Sequence, residues 1–173
     1  MIIKKVIDLN SELESSIREL LNLAYEGDFS ADDWEHTFGG QYFIGFLGNA
    51  IIAHGAVVPR PISIEGAGLT VGYVEAIAVL PSHWRKGFGT QLMKEITQFC
   101  QDKYQVSMLS TDENQFYERI GWLRFQGESY MRSLDSEVRT EDEDDGLMFL
   151  PGKKSELTQI LRAVCDERRG DCW

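Results

Sequence analysis

The chain has 173 residues, 43% of them apolar, enough to bury a core and sized for a single domain over residues 1–173. Lys and Arg total 17 against 28 Asp and Glu, a formal charge of −11 that repels nucleic acid and anionic lipid and attracts cations. No apolar run approaches the ~20 residues of a membrane span and no signal-peptide pattern opens the chain, so a soluble, cytoplasmic protein without a membrane partner is expected.

Residues 2–8 read as a first strand. Ser11 and Glu14 form an S-x-x-E capping box, after which Leu13, Ile17, Leu20, Leu21 and Ala24 repeat at helical spacing until Gly27. In 28–40, Ser30 is the expected cap of a second short helix, ended by Gly39 and Gly40. Residues 41–47 and 50–58 are two strands around the turn Gly48-Asn49, and 60–69 read as a loop. Residues 70–80 form a long apolar strand suited to the centre of a sheet. Leu92, Met93, Ile96, Phe99 and Cys100 mark an amphipathic helix over about 88–102. A strand over 104–110, a short helix over 113–119 and a strand over 122–125 follow. The order strand, helix, strand from 70 to 110 is a βαβ unit with a right-handed crossover. Beyond Gly152 the apolar residues fit neither period. Cys100, Cys165 and Cys172 include no C-x-x-C pair, and His36, His54 and His83 are scattered as packing or surface histidines. No disulfide framework and no metal site is expected.

The chemistry concentrates in Pro81-Ser82-His83-Trp84-Arg85-Lys86-Gly87-Phe88-Gly89-Thr90, which leads from the long strand into a helix N-terminus. Such a terminus offers free N–H groups and partial positive charge to a phosphate. Gly87 and Gly89 let a ligand approach the backbone, and Arg85 and Lys86 add counter-charge. The spacing is neither a Walker loop nor a dinucleotide fingerprint. The pattern V-x-P-x-x-x-x-x-G-x-G between an apolar strand and an amphipathic helix resembles motif A of the GNAT acetyltransferases. That resemblance implies an α+β fold with a mixed, mostly antiparallel central sheet flanked by helices and a splayed βαβ unit that binds acetyl-CoA. It implies that loop residues 85–90, including Phe88 and Thr90, hold the coenzyme pyrophosphate. Ile77 and Val79 would pair their backbones with the pantetheine arm. Trp84 departs from the family, which prefers Gln or Arg there.

A narrower resemblance rests on GDFSADDWEHTFGG at 27–40, GYVEAIAV at 72–79, YERIGW at 117–122 and CDERRGDCW at 165–173. Together they are similar to the aminoglycoside 2′-N-acetyltransferases. The resemblance implies substrate contacts from Asp28, Asp33, Glu75, the Ala76 backbone, Ser110, Asp171 and Trp173, and from an acid within 142–145, of which Asp144 is favoured. It places Tyr117 near the coenzyme sulfur. These acids suit a polycationic amino sugar. Glu75, a carboxylate inside an apolar strand, needs a partner or a purpose. It is the expected base that deprotonates the acceptor amine, with the Trp173 carboxylate assisting, a backbone N–H of 76–79 facing the acyl oxygen and Tyr117 protonating the thiolate. The expected reaction is direct acetyl transfer to the 2′-amine of an aminoglycoside, the antibiotic-resistance type, in a homodimeric enzyme. The alternative acceptor is another amine, such as a polyamine or a cell-wall amino sugar. Neither Cys100 nor Cys172 has a base placed beside it for a covalent route.

Overall fold

The computed structural model describes residues 1–134 and 136–173. It divides into two compact units, 1–58 with 74–98 and 59–73 with 99–173. Two long strands, β3 (Ala50–Ile64) and β4 (Ala67–Val79), run from one unit into the other.

The first unit also holds β1 (Ile2–Val6), β2 (Gln41–Leu47), α1 (Ser11–Ala24), α2 (Ala31–Glu35) and most of α3 (Phe88–Lys103). β1 pairs antiparallel with β2, and β2 with β3, where Ile44 faces His54. The helical stripe on α1 buries Ile17, Leu20 and Leu21 against Trp34, Tyr42, Ile44, Ala56 and Ala78. Each such aliphatic contributes about 1.5–3 kcal/mol of transfer free energy. The α1 cap lies one residue earlier than its sequence suggests. Asn10 accepts from the Leu13 N–H at 2.8 Å, and Glu14 instead pairs with Arg18 one turn on at 3.0 Å.

The second unit holds β5 (Val106–Ser110), α4 (Asn114–Glu118), β6 (Leu123–Arg124), β7 (Glu128–Ser133), β8 (Ser136–Arg139), β9 (Leu147–Pro151) and β10 (Arg162–Asp166), with the adjoining ends of β3 and β4. The strand order is β6-β9-β5-β4-β3-β10-β7-β8. β4–β5 and β10–β7 are parallel; β5–β9, β6–β9, β10–β3 and β7–β8 are antiparallel. This is the mixed, mostly antiparallel sheet of an α+β fold. The β4–β5 ladder holds only Gly72↔Ser107 and Tyr73↔Met108. Val71, Tyr73, Val106, Met108, Phe149, Ile160 and Trp173 share one core.

The expected loop over 60–69 is instead mostly strand. Arg60, Ile62 and Ile64 point inward while Pro59 and Pro61 point outward, a period of two. On β3, β10 pairs only with Ile62, Ser63 and Ile64, so the prolines sit where no β10 ladder bond is required. The turn is only Glu65-Gly66, both at positive φ (50° and 81°), a tight hairpin conformation.

Candidate active site

β4 ends at Val79, and Pro81–His83 make a 3-10 turn that leads into α3. Arg85 and Gly87 take positive φ (59° and 82°), turning the chain so that the Gln91 N–H bonds the Gly87 carbonyl at 3.0 Å and opens the helix. Phe88, Gly89 and Thr90 form the first turn of α3, where backbone N–H groups have no partner within the helix. A Cβ at Gly87 would meet no atom within 4 Å, so the requirement there is conformational rather than spatial. Arg85 is exposed, whereas the Lys86 ammonium donates back to the Ser82 carbonyl at 2.9 Å. Free amides, a helix N-terminus and an exposed guanidinium fit a pyrophosphate. Trp84 has a structural use: its indole N–H donates to the Val79 carbonyl at 2.6 Å while the ring stays 47% exposed. The Ile77 carbonyl likewise accepts from the Tyr25 hydroxyl at 3.1 Å.

Glu75 is half-buried on β4. It and Asp33 both bear on Tyr25, whose pKa is pushed up to about 12 by burial first, then by these two carboxylates. Tyr25, which no sequence motif marked, therefore stands as a neutral hydroxyl amid two predicted acids. Asp33 is also the N3 residue of the α2 capping box: Oδ2 accepts from the Ser30 N–H and hydroxyl, each at 2.8 Å. Asp28 is exposed, with its N–H on the Tyr25 carbonyl at 2.9 Å. Ala76 sits at φ 53° in mid-strand, and its carbonyl is 2.9 Å from His54 Nδ1.

In the second unit, Tyr117 is buried on α4, edge-on to Phe116 and Trp122 at centroid distances of 5.0 and 6.3 Å. Ser110 is exposed where β5 ends. The structure gives Asp144 other partners than a substrate. It accepts from the Ser129 N–H at 2.9 Å and hydroxyl at 2.7 Å and forms a two-pronged ion pair with Arg139. The neighbouring Glu143 instead feels the charge of Asp171. The Glu143 carboxyl is raised above the usual range by burial, then by Asp171 and Asp142.

Trp173 is buried, its indole donating to Thr140 Oγ1 at 3.0 Å, and its main-chain oxygen accepts from Arg168 at 3.1 Å. Arg60 donates to the Cys172 carbonyl at 2.7 Å and lies 4.4 Å over the Tyr73 ring. The sequence reading missed Arg60 because its segment looked like a loop. The Cys100 thiol is buried and raised to about 12 by that burial, which removes its nucleophilic form at neutral pH.

Residues 9–122 match the acetyltransferase (GNAT) family. The chain is 36% identical over 171 residues to an aminoglycoside 2′-N-acetyltransferase from Mycolicibacterium fortuitum, covering 96% of this chain and 88% of that protein. Among solved structures it is similar to YhbS, a GNAT family N-acetyltransferase from Escherichia coli in complex with CoA, with a TM-score of 0.71 at 17% identity over 98% of this chain and 94% of that one. It spans about a third of some larger solved relatives, including Eis1 from Mycobacterium abscessus (TM-score 0.59, 19% identity, 75% of this chain and 32% of that one). The glycine loop, the β4–α3–β5 unit and these similarities agree, and the chain belongs to the GNAT acetyltransferase family.

Proposed function

We propose that the protein transfers the acetyl group of acetyl-CoA to the 2′-amine of aminoglycosides. The observation that supports the substrate class is the electrostatic influence of Asp171 and Asp142 on Glu143, which adds to burial in raising its carboxyl. Carboxylates held together this way are relieved by an incoming ammonium. Glu75 and Asp33 around Tyr25 are a second acidic group. The 36% identical relative bears the matching activity in its name.

Bound acetyl-CoA would supply an activated acyl group, held by the amides of 87–90 and by Arg85. An ammonium is no nucleophile, so a proton must leave the acceptor first. Glu75 is the base that takes it, directly or through water. Asp33, Asp28, Ser110, Asp171 and Glu143 hold the remaining ammonium and hydroxyl groups. A backbone N–H of 76–79 faces the acyl oxygen as negative charge develops on it. Tyr117 returns a proton to the leaving sulfur.

The test is thiol release from acetyl-CoA across a panel of aminoglycosides, a polyamine and a cell-wall amino sugar. The expected result is a kcat/KM for 2′-amino aminoglycosides at least about tenfold above the other amines. Preference for a polyamine or cell-wall sugar would overturn the substrate assignment. Binding of acetyl-CoA and amine without thiol release would overturn the reaction itself.

A further inference from the structure

His54 is fully buried in the first unit, beside the stacked rings of Trp34 and Tyr42 at centroid distances of 6.3 and 6.0 Å. Its Nδ1 lies 2.9 Å from the Ala76 carbonyl. A carbonyl can only accept, so Nδ1 carries the proton. Nε2 is buried with no partner among the described residues. A buried acceptor left unmade costs about 1–3 kcal/mol, so an apolar residue would serve packing better there. The feature that sets this histidine apart is its single bond to Ala76.

Ala76 is a non-glycine residue at φ 53° in the middle of β4, a conformation that costs about 1–2 kcal/mol and persists only when the surroundings impose it. The next carbonyl, of Ile77, is also taken by a side chain, Tyr25. Gly55, beside His54, makes room for the kinked segment: a Cβ there would come within 2.4 Å of the Ile77 side chain. The Ala76–Ile77 peptide is trans, as are all peptides among the described residues, so with the Ala76 carbonyl turned to His54 the Ile77 N–H of the same plane points away from it.

We propose that His54 is a positioning residue: its Nδ1–H clamps the Ala76 carbonyl and thereby aims the Ile77 N–H at the oxygen of the transferred acyl group. This rests on the acetyl-transfer reading above. Burial lowers the His54 pKa to about 4, so the imidazole stays neutral through the working range and takes no part as an acid or base.

The position of the donor makes the test specific. An Asn amide can occupy the Nδ1 position, whereas a Gln amide reaches only toward Nε2. His54→Asn, His54→Gln and His54→Leu, each checked for folding by thermal melt, are compared by steady-state kinetics and by titration with acetyl-CoA. His54→Asn is expected to keep kcat within about threefold of wild type. Gln and Leu are expected to lose roughly 10- to 100-fold in kcat, part of the 10²–10³ that an oxyanion donor supplies, with KM for either substrate little changed. Equal kcat for all variants, or Asn no better than Gln, overturns the clamp. If wild type itself turns over no amine, the acetyl-transfer reading fails separately, and the ring then reports alone through ¹⁵N NMR. A protonated Nδ1 with bare Nε2, unchanged from pH 5 to 9, is required by the clamp, and a protonated Nε2 contradicts it.

Discussion

Asp144 offers a quantitative test that separates a structural acid from a substrate-binding one. Its carboxylate takes two hydrogen bonds from Ser129 and an ion pair from Arg139, whose side chain is 30% exposed against 20% for Asp144. In Asp144→Asn the remaining oxygen can still accept from Ser129, while the new amide faces the guanidinium. Charged hydrogen bonds are worth about 1.5–3 kcal/mol when buried, and the partial exposure here screens them, leaving a loss of about 2 kcal/mol. For a chain of this size that lowers Tm by about 4–8 °C. Burial pushes the Asp144 carboxyl up, but the bonds from Arg139 and Ser129 outweigh it and hold it below the usual range. Stability from a carboxyl depressed in this way is present above the unfolded value, about pH 4, and is lost as pH falls through the folded one. The Tm gap between wild type and variant is therefore expected at pH 7 and should close in acid, with KM for the amine within about twofold. An unchanged Tm with a sharply raised KM would show that the Asp144 carboxylate meets the substrate, and would refute the structural assignment.

Glu75→Gln is expected to lower kcat by about 10²–10⁴ with acetyl-CoA binding intact by titration calorimetry, since only the base is lost. Asp171→Asn should raise KM for a polycationic amine by roughly 2- to 5-fold and flatten its salt dependence, with kcat nearly unchanged, as read from initial rates at two ionic strengths. Gly87→Ala forces a side chain into φ 82°, at about 1 kcal/mol of strain, and should weaken coenzyme binding in calorimetry rather than amine affinity.

The parts of the site legible in the sequence are those built locally. The run from Val79 to Thr90 carries its own signals: proline, two glycines and the apolar period of α3, all within one turn and one helix. Glu75 stood out because a charge interrupts an apolar strand. Ser30 is the expected cap of a short helix, and it caps α2 in the structure, where Asp33 completes a capping box. The parts that were not legible depend on the fold. β7, β8 and β10 mix exposed and buried positions and lack a clean period, as expected of strands toward one end of a sheet order. Pro59 and Pro61 disguised a strand that β10 meets only at Ile62–Ile64, and so hid Arg60. Glu143 and Asp144 are adjacent acids sent to different neighbours. Tyr25 and His54 reach carbonyls 52 and 22 residues away in sequence, pairings that no spacing rule contains.

The most direct measurement compares two aminoglycosides identical except for an amine or a hydroxyl at the 2′ carbon, each incubated with acetyl-CoA and the purified chain. Thiol release and mono-acetylation are expected with the 2′-amine, with the new amide located at that nitrogen by NMR and the 2′-hydroxyl compound left unmodified. Equal acetylation of both compounds, or an amide at any other nitrogen, would contradict the proposed reaction.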